Sequence, residues 1–79
     1  DFVNENEIVV YSNQNEIVIL ASENIKEIIV FDVLGRKLYH NEKVNEKEFV
    51  VAKLTQSNQA LLVKTTLTNG QSITKKVVF

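Results

Sequence analysis

One stretch narrows the folds open to this chain more than any other: Ile28-Ile29-Val30-Phe31-Asp32-Val33-Leu34-Gly35-Arg36-Lys37-Leu38-Tyr39. Successive residues of an extended chain point to opposite faces, and from Ile28 to Val33 every side chain except Asp32 is apolar. This is a strand covered on two sides. Asp32-Val33-Leu34-Gly35 then reads as a type I turn. Asp32 hydrogen-bonds forward to the backbone, and Gly35 takes the positive φ of a hairpin bulge. Leu38 alternates with Lys37, so the returning strand has one wet face, and Phe31 is expected in the core.

The other segments supply partners for this hairpin. Proline is absent and glycine occurs twice, against abundant valine, isoleucine and threonine, a balance that favours strands. No window carries the i, i+3, i+4, i+7 spacing of an amphipathic helix. Asp1 to Asn6 is a polar lead-in, read as the end of a linker from an upstream domain, and the folded unit is expected over residues 7–79. Glu7 to Tyr11 and Glu16 to Leu20 form two strands around Ser12-Asn13-Gln14-Asn15. The echo of Asn4 to Val10 in Asn13 to Ile19 is explained by paired strands in similar surroundings. Ala21 to Ile25 leads into the hairpin, Asn41 to Glu46 is a polar loop, and Lys47 to Ala52 is a short strand. Leu54, alone among polar neighbours, reads as a plug worth about 2 kcal/mol if fully covered. Ala60 to Thr68 is a long strand with Leu61, Val63, Thr65 and Leu67 on one face. Asn69-Gly70, two residues that tolerate positive φ, turn the chain into Gln71 to Phe79, where Ile73, Val77 and Phe79 share a face and Lys75 interrupts it. About seven short strands, with turn signals every eight to twelve residues, predict an all-β, immunoglobulin-like antiparallel β-sandwich.

Size and charge exclude several functions. A chain of 79 residues makes one domain and buries only about 60–65% of the surface it exposes when unfolded. Without cysteine there is neither a disulfide framework nor a cysteine-based zinc site. A net charge of −1 with both signs interspersed gives no reason to expect nucleic acid or a membrane surface as partner. No apolar run is long enough to span a bilayer. His40 is the only histidine, which excludes a multi-histidine metal site, and its place at a strand end beside a loop marks it as solvated. Asp32 with Glu27, or Glu46 with Glu48, could be proposed as carboxylate pairs, but Asp32 serves better as a turn former, and Glu46 and Glu48 lie two apart on one wet strand face. None of Ser12, Ser22, Ser57 and Ser72 sits in a glycine-flanked elbow. The chain reads as a non-enzyme without cofactor.

Four elements in order resemble a known family, the type A C-terminal sorting domains of proteins exported by the type IX secretion system of Bacteroidota. These are Ile28-Ile29-Val30-Phe31-Asp32-Val33-Leu34-Gly35-Arg36-Lys37; Leu54 in its polar loop; Ala60 to Lys64 followed by Asn69-Gly70; and the ending Lys75-Lys76-Val77-Val78-Phe79. The likeness runs from about Ile8 to the last residue. It departs where the family places Gly-x-Tyr and this chain has Ala60-Leu61-Leu62, a leucine filling the tyrosine's core position. The resemblance implies a signal in folded form, fused as a monomer behind an upstream domain. Its partners would be the outer-membrane translocon and a surface sortase that removes it at or before Asp1 to Asn6, and the parent would be secreted or held at the cell surface. It implies recognition through Gly35, Arg36, Lys75, Lys76, Val77, Val78 and Phe79, by addition of a strand to an exposed edge. Lysines on a last strand also guard a sheet edge against stray pairing, and the two roles are compatible. The runner-up is an immunoglobulin-like spacer or carbohydrate-binding module, for which Phe2, Tyr11, Phe31, Tyr39, Phe49 and Phe79 are the aromatic supply.

Overall fold

The computed structural model describes residues 8–13, 16–52 and 60–78. Leu54, the lead-in Asp1 to Asn6 and Phe79 lie outside the described residues. Six strands follow in order: β1 (Ile8–Asn13), β2 (Glu16–Asp32), β3 (Lys37–Asn41), β4 (Glu46–Val51), β5 (Ala60–Leu67) and β6 (Ser72–Val78). Every pairing is antiparallel. The expected all-β, antiparallel fold is present as a curled sheet of sandwich-like form. The strand count differs, because Glu16–Leu20 and Ile28–Val33, expected as separate strands, are joined in one strand of 17 residues that ends at Asp32 and leaves Val33 in the turn.

That strand is the spine. Its first half lies between β1 and β4, with Ile19 opposite Val10 on one side and Phe49 on the other. Its second half lies between β3 and β5, with Val30 opposite Tyr39 and Val63. β6 completes the larger layer by pairing with β5. The change of layer happens without leaving the ladder. Between Leu20 and Ile25 the spine advances five residues while β4 moves only from Glu48 to Glu46. A second bulge falls at Lys26, where Ile25 and Glu27 face Leu67 and Thr66. Bulges bend a strand and strengthen its twist. The second one also changes phase. Ile17, Ile19 and Ile25 point inward on odd numbers, while Ile28, Val30 and Asp32 do so on even ones. A strict period of two would have turned the second apolar set out to solvent.

The core collects Ile8, Ile17, Ile19, Ile25, Ile28, Val30, Val44, Val51, Leu61, Val63, Leu67 and Val77. On β5 the inward face is Leu61, Val63, Thr65 and Leu67, as the alternation predicts, and Leu61 occupies a core position. Thr65 is fully buried and its Oγ1 has no hydrogen-bond partner among the described residues. Two expectations need correcting. Phe31 faces outward and is half-buried, because the shifted phase puts Asp32 inside in its place. The polar loop before β4 hides Val44 in the core; Asn45, at φ 52°, follows it and donates its N–H to the Ile25 carbonyl at 2.7 Å. The outer edges of β1 and β6 approach each other, with the Ser12 hydroxyl donating to the Val78 carbonyl at 3.1 Å.

Candidate functional site

Asp32 ends the spine only 1% exposed, which is unusual for a carboxylate. Three donors satisfy it. The N–H groups of Leu34 and Arg36 each donate to Oδ1 at 2.9 Å, and Arg36 Nε donates to Oδ2 at 2.6 Å. The Arg36 N–H, opposed by burial and reinforced by the Arg36 guanidinium and the Leu34 N–H, holds this carboxyl below the usual carboxylate range. The backbone closes the same turn: Gly35 N–H donates to the Asp32 carbonyl at 3.0 Å, Asp32 N–H donates to the Arg36 carbonyl at 3.0 Å, and Gly35 has φ 88°. The expected type I turn with its glycine bulge is therefore formed. Tied from beneath, it pushes Val33 and Leu34 outward, 64% and 77% exposed.

The last strand arrives at the same end of the sheet. Asp32 is level with Leu61 on β5, and Leu61 with Val77 on β6. One residue along, Lys37, Phe31, Leu62 and Lys76 form a single row across β3, β2, β5 and β6. The structure thus brings to one end of the sheet two groups of candidate residues forty or more apart in sequence, Gly35 with Arg36 and Lys76 with Val78. Within the second group exposure alternates. Lys76 is exposed and Val78 is 67% exposed, whereas Val77 is buried in the core and Lys75, opposite Val63, is half-buried on the inner side. Val77 is therefore a packing residue and unavailable to a partner in the folded domain. Arg36 is tied to Asp32 through Nε while most of its side chain stays in water.

Sequence reading puts Val33 at the end of a strand covered on two sides and Leu34 in the turn, and names neither as a recognition residue. Yet with Val78 they are the three most exposed large apolar side chains among the described residues. The available signal was their place at the two central positions of a turn whose backbone asks for no apolar residue there.

At the far end of the β2–β3 pair the chemistry is different. His40 Nε2 lies 2.6 Å from Glu27 Oε2, so the histidine expected to be merely solvated has a carboxylate partner. Glu42 joins them, with one ligand atom from each of the three within 4.8 Å of the others. One imidazole and two carboxylates can coordinate a divalent cation, although two of the three residues are exposed. Glu46 and Glu48 are both exposed on β4, and Glu46 closes its pairing opposite Ile25. Tyr39 and Phe49, with ring centroids 6.3 Å apart and planes at 36°, pack against the core. No helix among the described residues is long and apolar enough to cross a membrane.

No curated protein matches the chain. A family model spans it completely, residues 1–79, and on that match the chain belongs to the family described as a domain of unknown function, DUF8694.

Proposed function

We propose that this chain is a non-catalytic C-terminal sorting domain that directs its parent through a type IX secretion system, and that the translocon docks on the hairpin end of the larger layer. The observation that supports this reading is that the turn holding Gly35 and Arg36 lies at the same end of the sheet as Lys76 and Val78, three strands away. Those two segments carry much of the sequence resemblance. A sortase would then cut upstream of the folded strands and leave the parent secreted or at the cell surface.

The alternative, a spacer or sugar-binding module, has less to support it. Stacking platforms for sugars need exposed aromatic rings. Tyr39 and Phe49 are spent on the core, and Tyr11 and Phe31 lie on different layers.

The test is a periplasm-targeted reporter fused ahead of this chain in a type IX-competent host. The unaltered fusion is expected at the cell surface. Val78→Asp and deletion of residues 77–79 should each leave it in the periplasm. Normal surface delivery of both variants would sink the proposal, and specific binding of the isolated chain to a glycan array would favour the alternative.

A further inference from the structure

The apex of the β2–β3 hairpin carries more than the turn needs. Val33 and Leu34 are adjacent and exposed in a turn whose Leu34 and Arg36 N–H groups are held by the Asp32 carboxylate. Arg36 and Lys37 follow directly, and Lys76 stands at the opposite edge of the row that Lys37 begins. Three strand spacings separate the backbones of the two lysines, roughly 14 Å. Val78 adds a third exposed apolar side chain two rows further out. The carboxylate of this hairpin, Asp32, is buried and already bonded to its donors.

An apolar apex with a cationic collar fits the boundary between headgroups and acyl chains of an anionic bilayer. We infer that the chain binds anionic phospholipid surfaces through this hairpin, with Val33 and Leu34 entering the interface and Lys37, Lys76 and Arg36 meeting lipid phosphates. The chain's net charge of −1 gives no hint of this; the exposed Arg36, Lys37 and Lys76 at the apical end do.

Two features favour lipid over a protein pocket. The apex is aliphatic, whereas the residues that dominate protein interfaces are tryptophan, tyrosine and arginine, with leucine and valine under-represented. Its collar is mainly lysine, whose long stem lies along apolar surface while the ammonium reaches the phosphate level. With so few side chains entering, attachment is shallow and reversible.

Vesicle co-sedimentation tests the inference with the whole 79-residue chain. Vesicles of phosphatidylcholine containing about 30% phosphatidylglycerol should bind it. Vesicles of phosphatidylcholine alone should bind it weakly, and salt well above physiological strength should release it from the anionic ones. Leu34→Asp and the pair Lys37→Glu with Lys76→Glu should each weaken binding about ten-fold or more. All these positions are exposed, and circular dichroism would confirm that the variants stay folded. Equal binding to neutral and anionic vesicles, no binding to either, or unchanged binding of Leu34→Asp would each overturn it. If vesicles fail to bind while Leu34→Asp still blocks export of the fused reporter, the apex serves a protein receptor, and the lipid inference falls while the sorting proposal stands.

Discussion

The two glycine hairpins have one backbone and two characters. In the β2–β3 turn the Asp32 N–H reaches the Arg36 carbonyl and the Gly35 N–H reaches the Asp32 carbonyl; in the β5–β6 turn Leu67 with Gln71 and Gly70 with Leu67 repeat the scheme. Both glycines have positive φ, 88° and 94°. The second turn buries leucine at its first position, caps itself with Asn69 Oδ1 on the Gln71 N–H, and fastens to the spine's corner by Thr68 N–H on the Asn24 carbonyl. Its central pair, Thr68-Asn69, is polar. The first turn buries an aspartate and displays Val33-Leu34. A turn of this kind therefore needs its glycine and one side-chain acceptor, and the apolar pair at the first apex is surplus to folding.

Removing the acceptors should separate the two turns most. Asp32→Ala leaves two backbone donors and a guanidinium without their partner, so its thermal midpoint should fall at least twice as far as that of Asn69→Ala, which loses about 0.5–1.5 kcal/mol. Acid sharpens the contrast. The folded carboxyl of Asp32 titrates below its unfolded value, so its stabilisation is complete above about pH 4 and disappears as pH falls through the lower folded value. Denaturation followed between neutral and strongly acid pH should lose this limb in Asp32→Asn and keep it in Asn69→Ala. A persistent limb in Asp32→Asn would assign the acid sensitivity to another carboxylate.

Gly35→Ala and Gly70→Ala should cost nearly the same, about 1–2 kcal/mol each, since nothing lies within 4 Å of the added methyl at either site and only the left-handed backbone opposes it. A large difference in chemical denaturation would show that the turns are not equivalent. The smallest effect on stability belongs to the apex. Val33→Ser with Leu34→Ser should stay within about 0.5 kcal/mol of the parent. A larger loss would mean that the apex packs against the fold.

Both turns were legible before any coordinates, because glycine placement is local chemistry. Their details were less so. Asn69-Gly70 suggested positive φ at both residues, whereas Gly70 alone takes it and Asn69 acts as an acceptor. The apolar face of β5 was readable from strict alternation. The spine was not, since a bulge depends on what the neighbouring strands do, and a composition without breakers between Ala21 and Ile25 fits both a connection and a bent strand. Inverting Phe31 and Asp32 follows from the same shift: hydrophobicity ranks phenylalanine inside, but the register leaves the inner place to the residue that closes the turn. Of the candidate site, the residue types were visible in sequence and their common end was not, because it rests on pairings between β2, β5 and β6.

The spine has a mechanical consequence. β1, β3, β4 and β5 all hydrogen-bond to β2, and β6 alone does not. Peeling away any of the first four breaks a ladder of the strand that belongs to both layers. β6 comes away at the cost of its ladder with β5, the core contacts of Val77 and Ile73, and the Ser12 hydroxyl's bond to the Val78 carbonyl. Among the described strands the last is thus the one whose loss leaves every ladder of the spine intact.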